Sequence, residues 1–174
     1  MTAEASALPI GRLLLAGLMG CGKSSVGRGV AVRRGLHYVD NDGEIAVLAG
    51  VPTLDLARRG GDLLHRWESA YVRHLVALAG PLVAGLPGST ADRPHELALL
   101  GRSSTIVYLH CDVETLAARV AGDAPRPWLA DVDARPFIEA TYARRDPVLR
   151  TTAHHVVDAT QPLPTVVSSV LTLL

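Results

Sequence analysis

The sequence predicts an α/β fold in three layers, with a five-stranded parallel sheet flanked by helices on both faces. Five short apolar runs alternate along the chain with segments of helical periodicity, as in parallel sheets joined by right-handed helical crossovers. In addition, 48% of the residues are hydrophobic but only 4% are aromatic, which suits buried strands of Leu, Val and Ala. At 174 residues the chain is long enough for one domain, and we expect residues 1–174 to form a single one.

The elements of the first half are bounded by glycines and prolines. A buried strand is predicted at residues 12–17, and a helix that starts at Lys23 ends at Gly35. The remaining elements of this half are a strand at 36–40, a helix at 42–50, a helix at 61–79 and a strand at 81–86. Gly80 and Pro81 end the longest of these helices.

The second half continues the alternation of strands and helices. Its predicted elements are a short helix at 94–100, a strand at 104–110, a helix at 113–120, a helix at 136–150, a strand at 154–158 and a helix after Pro164. The segment 121–136 is polar and rich in proline. Since it is too irregular for a core element, we expect it to form a mobile lid.

The charge balance and the cysteines narrow the possible functions. The chain has 17 basic and 17 acidic residues, and a net charge of zero argues against a nucleic-acid binder. Cys21 and Cys111 are far apart and give no disulfide framework or zinc spacing, so we expect a cytoplasmic protein. The apolar run at 13–19 is interrupted by glycines and follows no basic region. We expect neither a secretory signal nor a membrane span. We also expect the protein to be a monomer.

A glycine-rich segment lies between the first strand and the first helix. Residues 17–24 read GLMGCGKS and match the phosphate-loop motif G-x-x-x-x-G-K-[ST] in its required context. The motif predicts nucleotide contacts from Gly17, Gly20, Cys21, Gly22, Lys23, Ser24 and Ser25. Backbone N–H groups and the helix N-terminus would face the phosphates, Lys23 would reach the β- and γ-phosphates, and the Ser24 hydroxyl would ligate Mg²⁺. The alternative is a chance glycine-rich turn.

Lys23 is the only lysine in a chain whose other strongly basic residues are all arginines. A planar, branched guanidinium cannot replace a compact ammonium in so tight a loop. This explains why a single lysine is present at that position. Cys21 is either a redox-sensitive thiol near a helix N-terminus or a small spacer.

Two carboxylates follow the second predicted strand in the sequence VDND. Asp40 and Asp42 are placed at the carboxyl edge of the sheet, beside the phosphate loop, where open α/β sheets bind ligands. One carboxylate can hold a hydrated metal and the other can accept a proton from an attacking hydroxyl. We assign the metal to Asp40. Asp42 is assigned to the substrate hydroxyl, which it would orient or deprotonate. The alternative is a solvated acidic turn that caps the next helix at Asp42.

With these motifs in place, the chain resembles the shikimate kinase family nearly from end to end. GLMGCGKSSVGR resembles the first motif of that family and VDND its D-x-D strand end. Further similarities are GGDLLHRWES to its G-E-x-x-F-R-x-x-E helix, APRPWL to its lid motif R-P-L-L, YARRDPVLR to its R-x-P-L-Y helix and HHVVDAT to its last strand. The resemblance implies a three-layer P-loop fold and ATP-dependent phosphorylation of shikimate in aromatic amino acid biosynthesis.

The resemblance also implies roles for four arginines. Arg66 and Arg145 would bind the substrate carboxylate, Arg126 would be the lid arginine that stabilises the transferring phosphoryl group, and Arg119 would lie on the adenine side. Taken singly, each of these arginines is more typical of a solvated surface. Together, around a phosphate loop, they can bind an anionic acceptor as well as a nucleotide.

The chain departs from the family pattern in positions around the acceptor. The family's L-G-G-G loop is represented by Leu86, Pro87, Gly88 and Ser89, of which Gly88 is the predicted substrate contact. Pro87 has no N–H to donate, and Ser89 adds a side chain where backbone should approach closely. The other departures are His65 for phenylalanine, Ser69 for a glutamate that Glu68 could replace, Ala46 for glutamate and Leu149 for tyrosine.

These observations favour an ATP- and Mg²⁺-dependent kinase that phosphorylates a hydroxyl of shikimate or a similar carboxylated polyol. The first alternative keeps the chemistry and changes the acceptor to another small hydroxylated metabolite. The second is a nucleotide-binding homologue without kinase turnover, which the lost glycines favour and the retained arginines oppose. A working kinase couples its nucleotide and acceptor sites, whereas a nucleotide-binding protein without turnover need not. A change of ATP affinity when the acceptor is present would therefore distinguish a kinase from such a homologue.

Overall fold

The computed structural model describes residues 11–122 and 133–174. Its centre is a five-stranded parallel sheet in the order β2-β3-β1-β4-β5. The strands are β1 Arg12–Ala16, β2 Tyr38–Val39, β3 Leu82–Gly85, β4 Thr105–His110 and β5 His155–Asp158. Strand β1 lies in the middle, where Leu14 is in register with Ala84 of β3 and Ile106 of β4. The predicted fold class and the number of strands are confirmed.

The helices connect the strands on both faces of the sheet. They are α1 Lys23–Arg34, α2 Asn41–Ala49, α3 Thr53–Arg59, α4 Gly61–Ala77, α5 Pro94–Gly101, α6 Val113–Gly122, α7 Ala134–Thr152 and α8 Leu163–Leu171. Helix α1 ends as predicted at Gly35, whose φ of 64° is in the left-handed region and favours glycine. Two elements were not predicted: helix α3 and a 3₁₀ turn at Gly88–Asp92.

The side chains of β1 point alternately to the two faces of the sheet, and helices cover both faces, which gives three layers. Leu13 and Leu15 point into a core shared with α1, α6 and α8, while Leu14 and Ala16 point into a core shared with α4 and α5. All four side chains are buried, as expected for the central strand of a parallel sheet with both faces covered.

The strand ends place the candidate site. The phosphate loop follows β1, Asp40 follows β2, and residues 86–92 follow β3. Since the strands are parallel, these three segments meet at one edge of the sheet, outside the carboxyl ends. In the part of the chain that the structure describes, no helix combines the length and apolar character that crossing a membrane requires.

The predicted lid at 121–136 lies mostly outside the described residues, and so does Arg126. Its first two residues belong to α6 and its last three belong to α7. The predicted boundaries of this segment were therefore too wide, and its closure over the site stays a prediction.

Candidate active site

The phosphate loop is shaped by glycines in backbone conformations that other residues rarely adopt. Gly17, Gly20 and Gly22 have φ angles of 153°, 83° and 89°. A Cβ on Gly17 would lie 2.5 Å from the Sγ atom of Cys21 and 2.9 Å from the carbonyl oxygen of Leu109. No side chain fits there without displacing these atoms, so the loop turns tightly against the ends of β1 and β4. Within the loop, the Cys21 N–H donates to the Leu18 carbonyl oxygen at 3.3 Å.

The Lys23 ammonium lies back over its own loop. Its Nζ atom donates to the carbonyl oxygens of Gly17 at 2.8 Å and Leu18 at 3.0 Å. The lysine is only partly exposed, and these two bonds hold its charge inside the curve of the loop. A compact ammonium with three donors suits this arrangement, in which Nζ also lies 3.7 Å from the Sγ atom of Cys21.

Cys21 is 2% exposed and belongs to the core beneath the loop. Cys111 is also buried, its Sγ atom accepts from Nη1 of Arg119 at 3.4 Å, and burial raises the pKa of the Cys111 thiol to about 11. Both cysteines are free thiols. The burial of Cys21 favours the spacer interpretation over the redox-sensitive one.

The two carboxylates after β2 have different surroundings. Asp40 is the N-cap of α2, since its Oδ1 accepts from the N–H of Asp42 at 3.1 Å, and its Oδ2 accepts from Nη2 of Arg28 at 3.1 Å. Asp42 is exposed in the first turn of α2, where its Oδ1 accepts from Nδ2 of Asn41 at 2.9 Å. The alternative to a catalytic role, an acidic turn that caps the next helix at Asp42, is wrong by two residues, because Asp40 caps the helix.

Tyr38 was missed by the sequence analysis, although it shapes this corner of the site. Its ring lies against Gly27 of α1, where a Cβ would overlap it, and its hydroxyl would be 2.5 Å from a Cβ on Gly85 of β3. Burial raises the pKa of Tyr38 to about 12, and the guanidinium of Arg28 lies 5.8 Å from the ring centroid. The helix glycine at position 27 was the signal that could have revealed a bulky neighbour.

Arg145, on α7, faces the loop that follows β3. Its Nε and Nη2 atoms donate to the carboxylate of Asp92, with Nη2 to Oδ2 at 2.6 Å and Nε to Oδ2 at 3.0 Å. Its Nη1 atom lies 3.4 Å from the position of a Cβ on Gly88. The Arg145 side chain is 14% exposed. The structure thus brings together two of the predicted acceptor residues, Arg145 and Gly88.

Asp92 receives a second arginine. The Nε atom of Arg144 donates to its Oδ1 at 2.9 Å, and the Arg144 side chain is largely exposed. Partial burial acts to raise the pKa of the Asp92 carboxyl, but hydrogen bonds from Arg145 and Arg144 outweigh it and the net effect lowers the pKa. Asp92 therefore stays ionised at neutral pH. No sequence motif indicated it.

A buried cluster supports the acceptor loop from below. The Ser89 hydroxyl donates to Oε2 of Glu68 on α4, and Nη2 of Arg93 lies 4.0 Å from the same oxygen. Arg93 also donates from Nε to Oε2 of Glu96 at 2.8 Å. Glu68 and Glu96 are both buried. The expectation that Glu68 replaces the glutamate beside Arg66 is not met, because Glu68 accepts from the Ser89 hydroxyl of the loop and lies 3.9 Å from Nε2 of His65.

Arg66 is exposed on α4. It borders a surface cleft at the start of that helix, whose lining residues are Arg59, Gly60, Gly61, Asp62, Leu63 and Arg66. The helix therefore presents Arg66 and Glu68 in different environments, one to solvent and one to the buried cluster. Of the other departures from the family pattern, Leu149 is buried in the core on the α5 side of the sheet.

Arg119 lies on α6, against the phosphate loop and the segment that follows β5. Its Nη2 atom donates to the carbonyl oxygen of Ala159 at 2.9 Å. Its Cβ atom lies 3.7 Å from the position of a Cβ on Gly20. The structure thus brings Arg119 next to the phosphate loop, on the side of β5.

A buried polar network fixes α7 to the sheet. The Tyr108 hydroxyl of β4 donates to Oδ1 of Asp146 at 2.8 Å, and Nε of Arg150 donates to Oδ2 at 2.8 Å. His110 lies 3.7 Å from Oδ1 of Asp146 and 2.9 Å from the Tyr142 hydroxyl. Asp146 directly follows Arg145 in the chain, so this network also sets the position of Arg145.

The sheet order, the phosphate loop after its central strand and the arginine-bearing helices at the same edge define a P-loop kinase of small molecules. The family model for shikimate kinase matches residues 19–174. The chain is 39% identical over 150 residues to shikimate kinase from Neisseria meningitidis serogroup C, with 86% of this chain and 88% of the relative covered. It is 33% identical over 151 residues to shikimate kinase from Chromobacterium violaceum, with 87% and 82% covered. The chain belongs to the shikimate kinase family.

Solved structures agree with this assignment. Shikimate kinase from Acinetobacter baumannii in complex with shikimate superposes with a TM-score of 0.85 at 26% identity, covering 94% of this chain and 92% of that one. A gluconokinase from Sinorhizobium meliloti superposes with a TM-score of 0.61 at 19% identity, covering 94% and 90%. The second likeness concerns the fold alone. ATP is the phosphoryl donor that membership of this kinase family implies.

Proposed function

We propose that this protein transfers the γ-phosphoryl group of ATP to a hydroxyl of shikimate, giving shikimate 3-phosphate and ADP. The observation that carries the proposal is the juxtaposition of the Lys23 loop with the Arg145 and Gly88 pair at one edge of the sheet. A phosphate loop alone defines only a nucleotide site, whereas a guanidinium on the acceptor side provides for a carboxylate. Family membership supports the same reaction.

The nucleotide half would bind ATP through the backbone of residues 17–25. The loop N–H groups and the N-terminus of α1 favour phosphate oxygens, and the Lys23 ammonium would exchange its carbonyl contacts at Gly17 and Leu18 for the β- and γ-phosphates. Arg119, which is anchored to Ala159, would border the base. This half supplies positioning and positive charge for the transferring group.

Ser24 and Asp40 fit a magnesium ion by their donor chemistry. A hydroxyl and a carboxylate are hard oxygen ligands, and Mg²⁺ at nucleotide sites takes few protein ligands besides phosphates and water. Asp40 is held in one orientation by Arg28 and by its capping bond to Asp42. When bound, the ion would neutralise charge on the β- and γ-phosphate oxygens.

The acceptor half would bind the substrate acid through Arg66, Arg145 and Gly88. Asp42 would accept the proton of the attacking hydroxyl. The hydroxyl oxygen forms a bond to the γ-phosphorus while the bond between the γ-phosphorus and the oxygen that bridges it to the β-phosphate breaks. ADP then leaves with the electron pair of the broken bond. Asp42 suits this role because it is exposed at the sheet edge on the first turn of α2.

We also propose a monomeric protein that acts in the cytoplasm and binds no nucleic acid. Two free, buried thiols support the cytoplasmic location. The balance of 17 basic and 17 acidic residues supports the absence of nucleic-acid binding.

A second candidate is the same phosphoryl transfer to another small hydroxylated metabolite. The observation that favours it is the acceptor loop, where Pro87 has no N–H to donate and the Ser89 side chain is bonded to Glu68. A homologue without turnover is the remaining alternative.

The test is ADP release by the purified protein with MgATP, with and without saturating shikimate, and product identification by phosphorus NMR. Shikimate-dependent ADP release with formation of a phosphate ester at the 3-hydroxyl is expected. ATP binding with no shikimate-dependent release would overturn the proposal, and a panel of hydroxylated acids, sugars and cyclitols would then separate the two alternatives. Lys23→Ala, assayed in parallel, shows whether any release comes from this protein.

A further inference from the structure

Asp92 binds one edge of the Arg145 guanidinium, and the opposite edge of that guanidinium faces Gly88. Arg145 uses its Nε and Nη2 atoms on the Asp92 carboxylate, at 3.0 and 2.6 Å from Oδ2. The Nη1 atom points away from that pair and comes within 3.4 Å of the Cβ position of Gly88. A guanidinium is rigid and planar, so a carboxylate that fixes the Nε edge also fixes the direction of Nη1.

We propose that Asp92 is a positioning residue for the acceptor: it orients the Arg145 guanidinium so that its Nη1 side binds the acceptor carboxylate beside Gly88. The inference rests on the proposed function, because it assigns the acceptor to this side of the sheet.

The need for such a partner follows from the mobility of an arginine side chain. A long side chain loses considerable rotamer freedom when it binds a ligand, and a guanidinium already held in place binds with less loss. Arg145 is mostly buried and is held by a carboxylate 53 residues away in sequence. Both groups that Arg145 approaches lie in one short segment, because Gly88 and Asp92 are the two ends of the same 3₁₀ turn.

Arg66 shows the contrast. It is exposed, and Ser69 stands where the family pattern has the glutamate expected to orient it. The neighbouring Glu68 is directed to Ser89. In this chain, the carboxylate that orients an acceptor arginine is therefore at Asp92, opposite Arg145, rather than on the helix of Arg66.

Asp92→Asn is the direct test, with steady-state kinetics for both substrates. The variant keeps the size of the side chain but removes its charge, so Arg145 loses its fixed orientation. The expected result is a rise in the acceptor KM of about tenfold, with kcat and the KM for ATP within about twofold of wild type. Asp92→Glu, which keeps the charge, should recover part of the acceptor affinity.

Arg144→Gln is the matched control. Arg144 shares the Asp92 carboxylate but is largely exposed, and its removal leaves the Arg145 contacts intact. It should leave the acceptor KM within about twofold of wild type. Thermal unfolding of each variant shows whether a kinetic change reflects loss of folded protein.

The double variant Arg145→Ala with Asp92→Asn separates positioning from a general structural role. If Asp92 acts through Arg145, Asp92→Asn has no further effect on the acceptor KM once Arg145 is absent. An equal rise in both backgrounds would overturn the inference, and so would an unchanged or lowered KM in the single variant. If wild type itself shows no turnover of shikimate, the proposed function fails together with this inference, whereas a failure here alone leaves shikimate turnover in wild type intact.

Discussion

The two sides of the candidate site are built by different means. On the nucleotide side, eight consecutive residues form a loop whose shape depends on glycine conformations and on bonds between near neighbours, such as Lys23 to Gly17. On the acceptor side, the geometry depends on ion pairs between distant segments, such as Arg145 with Asp92 and Arg93 with Glu68. A backbone-made site is fixed by local sequence, whereas a side-chain-made site can be rebuilt with different partners while the fold is kept.

This difference explains where the chain departs from its family. The phosphate loop tolerates few changes, because each glycine is required by a backbone angle or by a close contact. The acceptor loop has exchanged glycines for Pro87 and Ser89, and the added hydroxyl is satisfied by the buried carboxylate of Glu68. The change in the loop and its support by α4 therefore belong together.

Lys23→Ala should have the largest effect of any single change and should fall entirely on the nucleotide side. It removes the ammonium that lies inside the loop, and we expect kcat to drop on the order of a thousandfold because charge on the transferring phosphoryl loses its stabilisation. Shikimate-dependent ADP release measures it.

Two further variants sharpen the result for Lys23. Lys23→Arg keeps the charge but not the shape, and should be nearly as inactive as Lys23→Ala. Arg33→Ala, an exposed residue in the last turn of the same helix, should leave activity within about twofold of wild type. Wild-type activity in Lys23→Ala would remove the loop from the mechanism.

Gly17→Ala should have the second largest effect, through packing. The new methyl group would lie 2.9 Å from the Leu109 carbonyl oxygen and 2.5 Å from Sγ of Cys21, so we expect a loss of about 3 kcal/mol in the free energy of unfolding and weakened ATP binding. Urea unfolding and ATP titration measure the two quantities.

Gly22→Ala is its matched control. Gly22 also has a positive φ of 89°, but among the residues that the structure describes, its chain neighbours aside, no atom lies within 4 Å of its Cβ position. Only the backbone strain remains, so the expected loss is about 1 kcal/mol. Equal losses in the two variants would show that backbone strain, rather than close packing against Cys21 and Leu109, sets the glycine requirement of the loop.

The extent to which the sequence predicted the molecule follows the same division. All five strands and the phosphate loop were predictable, because apolar runs and glycine spacing are local signals and the β1 side chains alternate between two cores. Helix α3 was missed, since its seven residues between Pro52 and Gly60 are too few to establish helical periodicity. Asp40 was predicted at the end of β2, where the structure has it, whereas the alternative of a helix cap named Asp42 instead of Asp40.

The acceptor side was predictable only as far as its arginines. Arg145 was identified by resemblance, but its partner Asp92 lies 53 residues away in a 3₁₀ turn that no motif marks. Tyr38 was read only as part of a strand, although two glycines on different elements leave room for its ring. Contacts between distant segments become visible only when the fold brings those segments together.

Ser89→Gly should have a smaller effect than Lys23→Ala or Gly17→Ala, and its sign tests the acceptor side of the comparison. The substitution brings the loop closer to the family pattern, yet it removes the hydroxyl that donates to buried Glu68. Because a buried carboxylate loses a donor, we expect the free energy of unfolding to fall by about 1–2 kcal/mol. Ser89→Ala isolates the loss of the hydroxyl from the added backbone freedom of glycine, and should account for most of the change. A gain in stability in Ser89→Gly would mean that the pair strains the loop instead of supporting it, and the acceptor side would then be a weakened family site rather than a rebuilt one.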